Sequence, residues 1–238
     1  MITREKERFL GFLTGREAVP VLFEPFLSRR HTETLIWRRG PRLWDTPEHE
    51  IATLIAATER TGSDFVWIDL RNRTRDEKQA LTGEVPVWRG DYPFLGFGFM
   101  ADSPQDVLLA EEAGDALALW GDVISEKLPV IRMDGGIREA IGRGDAGWFA
   151  WSGAEEALEE AGGRIRILGG LGMDRLSLPA PLYARVEALD GAFRGQWAVG
   201  SGGIVADEDY LGLIAMLGAY ARIREKAERD TAGLFSKS

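Results

Sequence analysis

Residues 64–71 read DFVWIDLR, four apolar residues from Phe65 to Ile68 that run without interruption into Asp69 and then Arg71. A strand exposed on one face alternates apolar with polar, whereas a strand covered on both faces is apolar throughout. Seven other stretches share this character: 19–26 (VPVLFEPF), 93–100 (PFLGFGFM), 115–122 (DALALWGD), 129–135 (PVIRMDG), 146–152 (AGWFAWS), 164–170 (RIRILGG) and 196–201 (QWAVGS). Most break into an acid, a glycine or an arginine at the C-terminal end. Eight such runs separated by helical stretches predict a (β/α)8 TIM-type barrel, and in that fold chemistry sits at the C-terminal ends of the strands.

The 238 residues match the roughly 250 of a single barrel, and no linker or charge block divides them, so one domain over 1–238 is expected. Helices are predicted over 3–15, 29–39, 47–60, 104–113, 137–142, 154–161, 182–189 and 209–229. The last is expected to bury Leu211, Ile214, Leu217, Tyr220 and Ile223. Between the fourth and fifth runs only 123–128 is available, while a parallel crossover normally takes a dozen residues or more. That crossover is therefore expected to be reduced.

Cysteine is absent, which removes disulfides, thiolate nucleophiles and every cysteine-containing zinc site. The net charge of −9 argues against sequence-independent nucleic-acid binding. No run of about 18 apolar residues offers a membrane span. The charged opening MITREKERFL is no secretory signal, so a cytoplasmic location is the expectation.

Four carboxylates end predicted strands: Glu24, Asp69, Asp122 and Asp134. Gathered at one mouth they would share protons, bind a divalent cation or pair with arginines; each could equally cap the next helix. Asp69 stands out because Arg71, Arg73 and Arg75 come directly after it, which suits an ionised carboxylate that stabilises charge. Arg29 and Arg30 after the first run, and Arg132 and Arg138 around the fifth, are further guanidiniums able to grip carboxylate or phosphate. His31 and His49 are the two histidines, and nothing in their spacing makes a metal site, so no metal ligand is assigned. The glycine turns LGGLG (168–172) and GSGGI (200–204) bring Gly170, Ser201 and Gly202 to the ends of the last two runs. Many barrels bind phosphate there, although glycines at strand ends also serve simple turns.

Three stretches resemble the uroporphyrinogen decarboxylase superfamily, which includes corrinoid- and cobalamin-linked methyltransferases. They are 3–26 (TREKERFLGFLTGREAVPVLFEPF), 61–71 (TGSDFVWIDLR) and 128–217, with its LPVIRMDGGIREAI, RIRILGGLGMDRLSLPAP and GQWAVGSGGIVADEDYLGLIAML. The resemblance implies a shortened, methyltransferase-like member with Asp69 as the central carboxylate, Asp134 beside it in catalysis, and Arg29 in the arginine loop. Glu24, Arg71, Asp122, Gly170, Ser201 and Gly202 would bind substrate. Departures are equally plain: Pro25 stands where the first arginine of that loop belongs, Ser201 where a histidine does, and Arg132-Met133-Asp134 where zinc-dependent relatives carry His-x-Cys. The implied activity is therefore a diverged lyase or methyltransferase acting on a small carboxylated substrate rather than on a tetrapyrrole. A corrinoid or folate partner is compatible with it, and the resemblance admits a homodimer. Two other readings stay open, a phosphosugar-type barrel enzyme and a non-catalytic barrel that has lost its reaction groups.

Overall fold

The computed structural model describes residues 10–16, 20–21, 27–63, 65–91, 96–101, 103–113, 116–119, 130–132, 135–172, 179–202 and 210–235. In order they form α1 (Arg29–Leu35), a 3-10 turn (Pro41–Leu43), α2 (Pro47–Thr61), β1 (Phe65–Asp69), α3 (Arg75–Asp91), β2 (Gly96–Met100), α4 (Pro104–Glu112) and β3 (Ala116–Leu119). There come next β4 (Val130–Arg132), α5 (Ile137–Arg143), β5 (Gly147–Ala150), α6 (Ala154–Ala161), β6 (Arg166–Gly169), α7 (Pro179–Phe193), β7 (Trp197–Ala198) and α8 (Tyr210–Phe235). The seven strands pair in sequential order, and every pair is parallel.

The predicted eight-stranded (β/α)8 barrel is not what the chain forms. Seven of the eight runs become strands, but no eighth strand and no pairing that closes β7 onto β1 is present among the described residues. Most of the run 19–26 lies outside them, and in its described part the Val21 carbonyl accepts from the Val199 N–H (2.9 Å). The sequence there is a poor central strand: Pro20 and Pro25 remove two N–H donors from that run, and proline is tolerated only at sheet edges. At the other edge β7 is two residues long. The expected short crossover joins β3 and β4, which are parallel neighbours although only residues 120–129, outside the described ones, connect them.

The apolar runs are continuous because both faces of the sheet are covered. Phe65 and Trp67 of β1 face one cluster with Met100, Ile131, Phe149, Leu168 and Ala198, and Phe12 is buried in it. Val66 and Ile68 face the opposite way, with Phe97 and Phe99, against Ile51 and Ile55 of α2 and Val107 of α4. A third cluster packs α5 to α8 on β5 to β7, through residues such as Leu158, Ile167, Val186 and Tyr220. Each fully buried large side chain contributes about 1.5–3 kcal/mol of transfer free energy.

Helix starts obey local chemistry. Thr46 caps α2 by accepting from the His49 N–H (3.2 Å), Pro47 takes the first turn, and Gly62 ends the helix in a left-handed conformation. Helix α3, which the apolar pattern does not predict, opens on Thr74 and Glu77 in a reciprocal capping box: Thr74 N–H donates to Glu77 Oε2 (2.8 Å), and Glu77 N–H donates to Thr74 Oγ1 (3.3 Å). In α8 the expected face is corrected. Leu211 and Ile214 are exposed, while Leu213, Met216, Tyr220 and Ile223 are buried. Steps of three residues fall about 60° short of a full turn, so five positions spaced by three cannot share one face.

Candidate functional site

Asp69 is the last residue of β1, and its side chain is about one-third exposed (35%). Arg71 holds it in a fork, with Nε donating to Oδ1 (2.9 Å) and Nη2 to Oδ2 (3.0 Å), while the Arg71 backbone N–H also donates to Oδ1 (2.9 Å). Arg73 reaches under the same turn. Its Nε donates to the Asp69 carbonyl (2.6 Å), and its Nη1 and Nη2 grip Glu50 of α2 at 3.2 and 2.5 Å. Arg73 therefore ties the end of β1 to the first turn of α2, through a bidentate pair with the buried Glu50.

These groups open onto a cavity of about 320 Å³. Arg29 and Ser28 line it from the start of α1, and Trp44, Leu54, Trp67 and Met100 give it apolar walls. The Arg29 guanidinium lies over the Trp44 ring, 5.0 Å from its centroid, and Trp44 is held in place by donating from Nε1 to Glu33 (2.9 Å). Among the described residues Arg29 forms no ion pair. Among the described residues that line the cavity, three guanidiniums (Arg29, Arg71, Arg73) stand against two carboxylates (Asp69, Glu50), an excess of one positive charge.

Of the residues singled out in the sequence, the structure brings together Asp69, Arg29 and Arg71. Glu24, Asp122 and Asp134 lie outside the described residues. Gly170, Ser201 and Gly202 are buried at the ends of β6 and β7, away from this cavity, and their turns bind each other. Leu171 N–H donates to the Gly200 carbonyl (3.1 Å), Gly172 N–H to the Ser201 carbonyl (3.2 Å), and Ala154 N–H to the Gly170 carbonyl (2.9 Å). Gly202 has φ +81°, and a Cβ there would stand 2.6 Å from the Trp151 carbonyl oxygen, so close backbone contact requires glycine. His31 is buried beside the Tyr210 ring (centroids 5.5 Å apart) and does not line the Asp69 cavity. Among the described residues no group of three or more His, Asp and Glu side chains is placed to hold a metal ion.

The chain matches no protein-family model, and no curated protein matches it either. The site's chemistry therefore rests on its own geometry. No described helix is long and apolar enough to cross a membrane.

Sequence reasoning missed Glu50, Trp44 and Met100. For Glu50 a signal existed: it shares a helix face with Leu54, one turn on, and an acid on an apolar face needs a cationic partner. Trp44 and Met100 carried none, because only folding brings the segment before α2 and the end of β2 to Asp69.

Proposed function

We propose that this chain binds a small carboxylated compound in the cavity beside Asp69 and acts on it there, the small-substrate form of the chemistry that the uroporphyrinogen decarboxylase resemblance implies. The observation that carries this reading is Arg29, without an ion pair among the described residues and poised over Trp44 on the same cavity as the forked Asp69–Arg71 pair. One surplus positive charge suits one carboxylate, and the tryptophan walls suit an apolar body attached to it. At about 320 Å³ the cavity is at the lower end of the roughly 300–1,000 Å³ usual for ligand pockets, which favours a small compound over a tetrapyrrole. Arg29 would hold the carboxylate, while Asp69, kept in place by Arg71, would stabilise positive charge developing on the reacting group. A cytoplasmic location belongs to the same reading. No observation favours a corrinoid or folate partner, and the phosphate alternative is weakened because the Leu171 and Gly172 amides of the first glycine turn already donate to the Gly200 and Ser201 carbonyls.

Calorimetric titration with phenylacetate and malonate tests it. Binding of at least one is expected to weaken about tenfold or more in Arg29→Ala, the loss of one charge-assisted contact of roughly 1.5–3 kcal/mol. Asp69→Asn is expected to tighten the same binding, because it adds to the surplus positive charge, while abolishing any turnover. Equal affinity of the native chain and Arg29→Ala would overturn the assignment.

A further inference from the structure

Helix α2 carries a second cavity on another face. Glu50 and Leu54 point to the Asp69 site, whereas His49, Thr53, Ala56 and Arg60, roughly 120° around the helix, line a separate cavity of about 530 Å³. Its other wall comes from residues 36–44, which read IWRRGPRLW and contain no acid. From that segment Arg38 and Arg42 join Arg60 around the cavity.

None of these three arginines forms an ion pair among the described residues. Elsewhere Arg71, Arg73, Arg138, Arg143, Arg194 and Arg224 each find a carboxylate. Nearby Asp45 is engaged with the His49 ring (2.7 Å), and Glu59 is the one carboxylate among the lining residues. Three guanidiniums and one carboxylate line the cavity, and with the Asp45 carboxylate acting on Arg42 from beside it the balance is still positive. A phosphate monoester carries about −1.5 to −2 at neutral pH, and guanidinium forks match its oxygens. The floor is of a different character. Ala52 and Ala56, one turn apart, form a low apolar surface bounded by Ile36 and Leu43, against which a flat ring can lie.

We propose that this cavity is a binding site for a phosphate monoester carried on a ring, of the nucleoside monophosphate type, with Arg38, Arg42 and Arg60 gripping the phosphate and the Ala52–Ala56 floor taking the ring. The site is independent of the carboxylate cavity and shares no lining residue with it.

Calorimetry on the full chain with adenosine 5′-monophosphate, adenosine and inorganic phosphate tests the assignment. The monophosphate is expected to saturate one site and to bind more tightly than either fragment alone. The double variant Arg38→Ala, Arg60→Ala should weaken it at least tenfold, and because both side chains are exposed its melting temperature should match that of the native chain. Arg29→Ala should leave it unchanged. Absence of saturable binding at millimolar monophosphate, or binding that the double variant retains, would overturn the site. Loss in Arg29→Ala instead would place the ligand in the Asp69 cavity, and binding no tighter than inorganic phosphate would remove the role of the floor.

Discussion

Two ion pairs in this protein look alike on paper and differ in what surrounds them. Asp69–Arg71 is about one-third and one-quarter exposed, so water screens it and its contribution to stability is small, on the order of 1 kcal/mol or less. Lys78–Asp106 joins α3 to α4 at 2.9 Å with Asp106 only 2% exposed. Removing Asp106 there breaks a buried charge pair. Asp106→Ala is expected to cost about 3–5 kcal/mol, against less than about 1 kcal/mol for Asp69→Asn, both read from urea denaturation midpoints. The comparison separates Asp69, whose proposed role is in binding, from a residue held for folding. The result that would contradict it is a large stability loss in Asp69→Asn.

Single elements show where periodicity informs and where it misleads. Helix α8 buries Leu213 and leaves Leu211 67% exposed, so Leu213→Ala should cost about 2–5 kcal/mol while Leu211→Ala should fall within roughly 0.5 kcal/mol of the native chain by thermal denaturation. At the start of α2, the His49–Asp45 hydrogen bond raises the imidazole pKa above its ordinary 6.5 and lowers the carboxyl below its ordinary 3.8. The histidine's contribution is complete below 6.5 and is lost as pH rises through its raised value. The aspartate's is complete above 3.8 and is lost as pH falls through its lowered value, so the pair supports the helix start most between those two ordinary values. By NMR titration His49 should titrate above 6.5, and Asp45→Asn should bring it back toward that value. Helix α3 shows the opposite lesson. Its Thr74-Arg75-Asp76-Glu77 opening is a legible capping box, but Pro86 within the helix and a largely polar sequence hide the remaining turns.

At the scale of the whole molecule, the inward side chains of β1 and β7 meet in one cluster, and Phe12 from the N-terminal segment is buried within it. Arg166 at the start of β6 anchors that segment by donating from Nε to the Phe12 carbonyl (2.9 Å), across 154 residues of sequence; burial lowers its pKa. Phe12→Ala should therefore cost about 3–5 kcal/mol and act on the entire sheet, giving one cooperative transition at a lower melting temperature. Two separate transitions in that variant would show that the segment stabilises only one edge.

Local chemistry in the chain was enough to read seven of the strands, their parallel arrangement, most helix starts and the prominence of Asp69, because burial on both faces, capping and charge clustering act over a few residues. The closure expected of an eight-strand barrel was not determined that way: it depends on pairing between distant edges, where Pro20 and Pro25 withhold donors and β7 is short. The partners of the site lay equally beyond local reading. Glu50 meets Arg73 across 23 residues, and Arg38 and Arg42 meet Arg60 around one cavity, because a fold assembles charges by position in space rather than by spacing along the chain.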